Sequence, residues 1–369
     1  MKPILIAAGG TGGHVAPAEA LAAELVARGR RIALMTDARM VVRPGSIFAG
    51  RDAYVIAGAG IAGRGVVRAG RAMVALATGV VQARAILRRL DAAAVVGFGG
   101  YPSVAPILAA RLAGRIPALL HEQNAVLGRA NRFLASRAHT LALSFPDTAR
   151  VPAGIATTVT GNPVRPAIAA LATLPYALPA PGERLRILVL GGSLGARVFS
   201  DVVPDAIALL PRAARTAIEV VAQCRAEDMD RARTAYARAG VTALLAPFFT
   251  DIPERLAVAH LVIGRAGAST VAELAAAGRP AILVPLPGAI DGHQAANARA
   301  LGGAVVIAQP DFTAATLAAH LGALRDNPAP LANAARAAAA TARLDAAVRL
   351  ADLVESLATA DTALGKDMP

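Results

Sequence analysis

The stretch ILIAAGGTGGHVAPAEAL, residues 4–21, decides how the first half of the chain folds. Its apolar run at 4–8 is typical of a buried parallel strand, and the residues after His14 have the pattern of a helix. The four glycines between strand and helix let the backbone approach a ligand closely and present N–H groups at a helix N-terminus. The stretch therefore predicts a strand, a tight turn and a helix; a ligand site at the turn and a plain strand–helix corner both stay open.

A second start of the same kind follows at RLRILVLGGSLGARVFSD, residues 184–201. Short apolar runs alternate with stretches of helical period along the whole chain, which predicts βα units and parallel sheets. We expect strands at 4–8, 31–36, 54–57, 94–97, 118–122, 140–142, 157–160, 187–190, 217–222, 242–246, 261–264, 281–284 and 304–307. The alanine-rich tail from about 328 is expected to be helical. A ligand is expected between the two halves, against the carboxyl ends of both sheets.

Length and charge divide the chain in the same way. A chain of 369 residues exceeds one typical core, so two domains are expected. Residues 1–165 hold 20 Lys and Arg against 7 Asp and Glu, whereas residues 166–369 hold 18 of each, so the first half carries the whole excess of +13. This asymmetry indicates an anionic partner for the first half. Because aromatic residues make up 3% of the chain and no nucleic-acid motif is visible, nucleic acid is not expected.

The compartment follows from cysteine usage and from the apolar runs. A single cysteine, Cys224, excludes an internal disulfide and fits a reducing compartment. We expect no secretory signal before the first strand. The longest uncharged run, 92–110, contains GFGGYP and is interpreted as strand, turn and helix, so no transmembrane segment is expected.

The stretch 65–91 is the most membrane-like part of the sequence. Its apolar and basic residues alternate with helical spacing: Met73, Val74, Leu76, Val80, Val81, Ile86 and Leu87 against Arg68, Arg71, Arg84, Arg88 and Arg89. An interfacial helix would place the apolar group at the lipid boundary and the arginines among phosphates. A helix that packs on the core and has a solvated face has the same pattern, and both interpretations stay open.

Polar clusters follow three of the predicted strands. HEQN at 121–124 ends one strand, and Tyr101 lies at the end of the strand before it, facing the same crevice. A functional role and a structural hydrogen-bond corner are both open for HEQN. In the second half a strand leads into RAGASTVAEL, where Ser269 and Thr270 open a helix that can bind phosphate and Glu273 can accept hydrogen bonds from a ribose diol. A capped helix with an acidic first turn is the structural alternative. DGHQAANA, at 291–298, places a further polar cluster near the next helix start.

Several other site chemistries fit poorly. The dinucleotide fingerprint G-x-G-x-x-G is broken at Val15, although Asp37 lies about where a ribose-binding acid would lie. No G-x-x-x-x-G-K-[ST] phosphate loop is present, and the six histidines lack metal-ligand spacing. We therefore expect neither a metal nor a cofactor.

Seven segments, in order and with the same spacing, resemble the UDP-N-acetylglucosamine:lipid I N-acetylglucosaminyltransferases of peptidoglycan synthesis, the MurG family. They are GGTGGHVAPA, GFGGYPS, HEQNAVLGRAN, GNPVR, GGSLGAR, RAGASTVAEL and DGHQAANA, and the match runs from about 4 to 308. The resemblance implies an α/β fold of the GT-B type, in which two Rossmann-like domains face each other across a cleft and a C-terminal helix crosses back. It implies an acceptor and membrane-facing domain at 1–163, a UDP-sugar domain at 164–345 and a helix and tail at 346–369.

The resemblance also implies the reaction and its setting. Members transfer N-acetylglucosamine from UDP-N-acetylglucosamine, with inversion and without metal, to the C4 hydroxyl of undecaprenyl-pyrophosphoryl-N-acetylmuramyl-pentapeptide, lipid I, giving lipid II. They are peripheral on the cytoplasmic face of the inner membrane, and proteins of cell-wall synthesis are further partners. An anionic membrane surface would then explain the basic first half.

Site residues are carried over position by position. The resemblance implies substrate contacts at Thr11, Gly12, Gly13, Asn124, Arg165, Ser193, Phe249, Ala268, Ser269, Thr270, Val271, Ala272, Glu273 and Gln294. The sequence departs from the family at Leu194, where glutamine is usual, at the segment 222–225, and at FFTDIP, which lacks one of the usual paired acids. These departures concern local donor contacts.

The acceptor hydroxyl needs a base that removes its proton as it attacks. His14 is the first candidate because histidine titrates near neutral pH and lies here at the ligand edge of the first domain. A role for His14 in binding phosphate or in capping the helix stays open. Glu122 is the alternative base or orients the acceptor, with Tyr101 assisting. A UDP-N-acetylglucosamine 2-epimerase of the same fold, a NAD-dependent oxidoreductase and a non-catalytic lipid-binding protein are the competing functions.

Overall fold

The computed structural model describes residues 2–364 apart from 10, 11, 43, 59–65, 115, 181, 193 and 194, and describes the backbone alone at 12, 66–69 and 360–364. The chain divides into two compact units, the first made of 1–165 with 343–369 and the second of 166–342. Both are parallel α/β units, as the alternation of apolar runs and helical stretches predicts.

Thirteen strands lie in the described residues, one at each predicted place and with ends within two residues of prediction. They are β1 (Ile4–Ala7), β2 (Ile32–Thr36), β3 (Ala53–Val55), β4 (Ala94–Gly97), β5 (Ala118–Glu122), β6 (Thr140–Leu143), β7 (Thr157–Val159), β8 (Leu185–Leu190), β9 (Ile218–Gln223), β10 (Thr242–Ala246), β11 (Leu261–Gly264), β12 (Ala281–Leu283) and β13 (Val305–Val306).

Most helices in the described residues lie between successive strands, and the last three follow β13. They are α1 (Gly12–Ala27), α2 (Val66–Leu90), α3 (Val104–Ala113), α4 (Arg129–Leu134), α5 (Pro166–Ala169), α6 (Arg197–Ala208), α7 (Arg212–Thr216), α8 (Met229–Ala239), α9 (Ile252–Val258), α10 (Ala268–Ala277), α11 (His293–Ala300), α12 (Ala314–Asp326), α13 (Ala329–Ala340) and α14 (Ala346–Leu364). The uncharged run 92–110 forms a strand, a turn and a helix, as expected.

Both sheets are parallel throughout and both reverse their strand order beside the first strand of the unit. The first has the order β3-β2-β1-β4-β5-β6-β7, and the second the order β10-β9-β8-β11-β12-β13. In the first sheet Ile4 pairs with Ile32 of β2 on one side and with Ala94 of β4 on the other. The loops after β1 and β4, and after β8 and β11, therefore flank the switch point where α/β sheets bind ligands.

The central strands are buried on both faces, which explains their continuous apolar sequence. Every residue of β1, β2, β4 and β5 is buried, and so is every residue of β11 and β12. Each Å² of apolar surface that these strands remove from water stabilises the unit by about 25 cal/mol.

The last helix of the chain belongs to the first unit. Leu350, Ala351 and Val354 of α14 are fully buried in the core around β1 and α1. Two ion pairs support this packing, since Arg28, which directly follows α1, lies 2.6 Å from Asp352 and 2.8 Å from Glu355. The C-terminal helix thus crosses back from the second unit to the first.

Candidate functional site

Three adjacent strands of the first sheet, β1, β4 and β5, end at one edge. His14 lies in the first turn of α1, which follows β1, and Tyr101 begins a short 3-10 turn that follows β4. The sequence HEQN begins in β5 and continues beyond it. The sheet therefore brings the predicted residues His14, Tyr101 and Glu122 to the same edge.

His14 is half-buried and its ring lies against the turn between β4 and α3. A methyl group on Gly100 would lie 3.5 Å from His14 Nε2, and one on Gly99 would lie 3.5 Å from His14 Cε1. Gly99 has a φ of 84° and Gly100 a φ of 65°, and such positive values favour glycine. Ser103 fixes this turn because its hydroxyl donates to Gly99 O at 2.9 Å. The Nε2 side of the His14 ring thus faces the backbone of Gly99 and Gly100, which carry no side chains.

The other ring nitrogen of His14 joins a buried hydrogen-bond network. His14 Nδ1 lies 2.9 Å from Gln123 Oε1, across 109 residues of sequence. Gln123 Nε2 lies 3.0 Å from His121 Nδ1 and donates to His121 O, also at 3.0 Å. His121 Nε2 lies 3.0 Å from Gly161 O, and the ring of Phe98 packs on His121 with centroids 5.3 Å apart. Complete burial lowers the pKa of His121 to about 4, so its imidazole is neutral at physiological pH.

Glu122 has a different environment from that of its neighbours. Its side chain is buried, and its carboxylate accepts four hydrogen bonds. The donors are Asn124 N and Asn124 Nδ2 at 2.9 Å, Gly128 N at 2.8 Å and Asn131 Nδ2 at 2.9 Å. These contacts hold the loop from β5 to α4 and occupy the lone pairs that a general base needs. The geometry does not favour Glu122 as the base.

The side-chain amides of Asn124 and Asn131 both donate to the Glu122 carboxylate, a shared role that the sequence did not predict. Asn124, predicted to contact the donor substrate, is half-buried and turns its side-chain amide to Glu122. Asn131, in the same HEQNAVLGRAN segment, also donates to His121 O at 3.2 Å. Its spacing of nine residues from Glu122 gives no local signal, because α4 brings the two together.

The glycine turn after β1 is described in part. Thr11 lies outside the described residues, whereas Gly12 begins α1 and Gly13 is exposed in its first turn. Asp37, at the end of β2, is buried and accepts hydrogen bonds from Arg39 N and Arg39 Nε, both at 3.0 Å. Asp37 is therefore committed to an ion pair with Arg39.

In the second unit, β11 leads through Arg265–Gly267 into α10, as the sequence predicts. Val271 N donates to Gly267 O at 2.9 Å, which joins the first turn of α10 to the residue before the helix. Ala268 and Val271 are buried, and the remaining predicted contact residues of this helix, Ser269, Thr270, Ala272 and Glu273, are half-buried. Asn297 of α11 supports the turn by donating to Ala266 O at 3.1 Å.

Gln223, which we did not predict as a site residue, holds two loops of the second unit together. Its Oε1 accepts from Gly191 N at 3.2 Å, and its Nε2 donates to Gly192 O at 3.0 Å and to Pro247 O at 3.3 Å. The first loop leads to Ser193, which with Leu194 lies outside the described residues. The second leads to Phe249, which is buried under the guanidinium of Arg255, 4.1 Å from the ring centroid.

The remaining predicted contacts lie in separate units. Gln294, in α11, accepts from Leu286 N at 2.9 Å through its Oε1. Arg165 is half-buried at the end of the first unit's main segment. Within the described residues no group of three or more His, Cys, Asp or Glu side chains is arranged to hold a metal ion.

The predicted amphipathic helix is α2, and its apolar residues divide between core and surface. Leu87 is buried and Leu76, Val80 and Ile86 pack on the core, whereas Met73, Val74 and Val81 are 71%, 68% and 68% exposed. Among the described residues, Gly70–Leu90 alone is long and apolar enough to cross a membrane, a test that core helices also pass. Its exposed apolar side chains and the exposed arginines at its C-terminal end fit a helix that lies on a surface.

Comparisons with known proteins agree with this arrangement. The glycosyltransferase family 28 N-terminal domain matches residues 4–143, and the family 28 C-terminal domain matches 186–350. The chain is 63% identical over 364 residues to the UDP-N-acetylglucosamine--N-acetylmuramyl-(pentapeptide) pyrophosphoryl-undecaprenol N-acetylglucosamine transferase of Granulibacter bethesdensis, covering 97% of this chain and 95% of that protein.

Two further matches are similar in extent. The transferase of the same description from Rhodospirillum centenum is 54% identical over 381 residues, which cover 100% of this chain and 97% of that protein. The crystal structure of Acinetobacter baumannii MurG has a TM-score of 0.76 and 31% identity, covering 96% of this chain and all of that one.

Proposed function

The chain belongs to glycosyltransferase family 28, and we propose on that basis that it transfers N-acetylglucosamine from UDP-N-acetylglucosamine to N-acetylmuramyl-(pentapeptide) pyrophosphoryl-undecaprenol, lipid I, forming lipid II. The observation that carries the proposal is the 63% identity, over almost the whole of both chains, to a transferase of that description. The polar edge around His14 and the α10 N-terminus give each unit a site suited to one of the two substrates.

We propose that the second unit holds the donor. The amides that open α10 and the positive end of its dipole suit a diphosphate. Ser269, Thr270 and Glu273 would contact the pyrophosphate and ribose, Phe249 the uracil through its backbone, and Gln294 the amino sugar. Thr11, Gly12, Gly13, Asn124, Arg165 and Ser193 would complete the donor contacts. Positive charge from Arg165 and the helix N-terminus would stabilise the leaving UDP.

We propose that His14 is the general base. The acceptor C4 oxygen forms a bond to C1 of N-acetylglucosamine while the bond from C1 to the UDP oxygen breaks, inverting C1. The acceptor proton passes to His14, which is half-exposed and reaches the sheet edge. Glu122, whose carboxylate is buried among four donors, holds the loop instead, and Tyr101 assists at the exposed end of the β4 turn.

Incubating the pure protein with radiolabelled UDP-N-acetylglucosamine and a lipid I analogue, with and without a metal chelator, tests the function. Labelled disaccharide-lipid is the expected product in both conditions, and its absence would overturn the proposal. A UDP-N-acetylglucosamine 2-epimerase would convert the nucleotide sugar without acceptor, and a lipid-binding protein would retain the acceptor without forming product. A His14→Ala enzyme with near-normal kcat would overturn the base assignment alone.

We further propose that α2 binds an anionic membrane surface from the cytoplasmic side. Met73, Val74 and Val81 would enter the lipid boundary, and Arg88 and Arg89 would lie among phosphates. Replacing the two valines with charged residues removes more than about 1.4 kcal/mol of favourable apolar burial from the binding free energy. This loss corresponds to about tenfold weaker binding.

Cosedimentation with phosphatidylglycerol vesicles tests this surface. The double variant Val74→Glu, Val81→Glu is expected to bind at least about tenfold more weakly than the wild type. Val258→Glu is the matched control, because Val258 is also exposed but lies in the second unit. Wild-type binding that ignores both salt and anionic lipid would contradict the proposal.

A further inference from the structure

The hydrogen-bond network behind His14 has one consistent arrangement of protons, and its starting point is Gly161. A carbonyl oxygen only accepts, so His121 Nε2 must donate to Gly161 O at 3.0 Å. The buried His121 is neutral, because burial lowers its pKa to about 4, and its Nδ1 therefore carries a lone pair. The acceptor at one end and the neutral ring together fix the tautomer of His121.

The tautomer of His121 in turn fixes the side-chain amide of Gln123. The bare His121 Nδ1 and His121 O are both acceptors, and both lie 3.0 Å from the same Gln123 atom. That atom must be the NH2 group, because the amide oxygen would meet two acceptors there. Gln123 is fully buried, so no solvent competes for these bonds. The amide oxygen is consequently turned toward His14.

Gln123 Oε1 only accepts, so His14 Nδ1 must donate to it across 2.9 Å. In the neutral ring the lone pair then lies on Nε2, on the side that faces Gly99 and Gly100. We infer that Gln123 and His121 are positioning residues for the transfer reaction, because they fix the tautomer and orientation of His14 so that Nε2 receives the acceptor proton. This inference rests on the proposed function and on His14 as its base.

The arrangement also serves the second half of the proton transfer. When Nε2 takes the proton, His14 becomes an imidazolium whose Nδ1–H still donates to the Gln123 oxygen. A preorganised acceptor dipole stabilises that charge without rearrangement of the site. The same logic, in which an acceptor holds a catalytic imidazole in one tautomer, explains large rate losses when such a partner is changed.

Nuclear magnetic resonance of the protein labelled with 15N-histidine reads the tautomer directly, and the chain has six histidines to assign. In its neutral state, wild-type His14 is expected in the Nδ1–H form, although free imidazole side chains favour the Nε2–H form. In Gln123→Met, which keeps the length but removes the acceptor, the Nε2–H form is expected. A wild-type His14 in the Nε2–H form would overturn the inference.

Kinetics supply the second readout. Gln123→Met is expected to lower kcat by about 10- to 100-fold, with the KM for UDP-N-acetylglucosamine changed less than about twofold, because the donor site is intact. His121→Asn keeps an acceptor where Nδ1 lies and is expected to retain most of kcat, whereas His121→Leu is expected to match Gln123→Met. His139 precedes β6, and its Nδ1 accepts from Ala118 N at the start of β5, so His139→Leu is the control for removing a histidine and should retain kcat.

The possible results distinguish a failure of the proposed positioning role of Gln123 and His121 from a failure of the proposed transferase function. A wild-type enzyme that forms no labelled product would overturn the proposed function. An active wild type whose Gln123→Met variant keeps kcat, while His14→Ala loses it, would overturn the positioning role alone. Equal losses in His121→Asn and His121→Leu would also count against it, since only one of them removes the acceptor.

Discussion

Replacing His121 with asparagine should change how the stability of the protein depends on pH. The ordinary histidine pKa of 6.5 applies to the unfolded chain, and burial lowers the pKa to about 4 in the folded protein. Between these two values the unfolded chain binds a proton that the folded chain does not bind. Stability is therefore lost as the pH falls from 6.5 toward 4, and it is fully present above 6.5.

The size of the effect follows from the pKa shift. One pKa unit corresponds to about 1.4 kcal/mol, so His121 alone removes about 2 kcal/mol of unfolding free energy between pH 7.5 and pH 5, roughly a 30-fold change in the unfolding constant. At pH 4 and below the loss approaches about 3 kcal/mol. Asparagine does not titrate, so the His121→Asn variant should lose correspondingly less stability.

Urea unfolding of both proteins, followed by far-ultraviolet circular dichroism at pH 8.5, 7.5 and 5, measures the difference. His260, whose pKa burial also lowers, is present in both proteins, so its contribution cancels. Between pH 8.5 and 7.5 the two proteins should change in parallel, which is the internal control. If the wild type and His121→Asn lose equal stability between pH 7.5 and pH 5, His121 is not buried in its neutral form.

Three further substitutions test the site. Gly100→Ala should lower kcat at least about tenfold, because its methyl would lie 3.5 Å from His14 Nε2. Gly114→Ala introduces a side chain at a left-handed position in open space, where the strain is about 1–2 kcal/mol, and should leave initial rates unchanged. Glu122→Gln should lower the unfolding free energy by about 2–4 kcal/mol while the acid limb of the pH–kcat profile persists; loss of that limb would restore Glu122 as base. Gln223→Leu should raise the KM for UDP-N-acetylglucosamine about tenfold with little change in kcat, and an unchanged KM would contradict its role in holding the donor loops.

The strands were predictable because parallel strands buried on both faces have continuous apolar sequences bounded by glycine turns. The start of β8 shows the limit of predicting strands from apolar runs. We expected the first strand of the second unit at 187, but β8 begins at Leu185 because the charged Arg186 is accommodated there. Its amide donates to His260 Nδ1 at 3.0 Å and its guanidinium pairs with Glu183. A tertiary partner 74 residues away is invisible to a local pattern.

The location of the site was predictable from the sequence, whereas the role of each residue in it was less predictable. Strand ends at a switch point identify the edge at which His14, Tyr101 and Glu122 meet. Sequence spacing does not identify which of them are already committed to other contacts. Glu122 is satisfied by Asn131, which reaches it only because of the loop and α4, and Gln123 meets His14 only because β1 and β5 lie on either side of β4.

The alternation of side chains along an extended strand explains why an amide rather than a carboxylate meets His14. Side chains two residues apart share a face, so His121 and Gln123 lie together on the side of His14, while Glu122 between them turns toward the loop. Both proposed substrates carry phosphate charge, and a carboxylate beside the base would repel them. The neutral Gln123 fixes the imidazole without adding negative charge. The Glu122 carboxylate instead accepts four hydrogen bonds from donors on the side away from the base. A shift of one residue in the register of β5 would exchange these roles, which makes the buried pairing of β5 with β4 and β6 a requirement of the chemistry as well as of the fold.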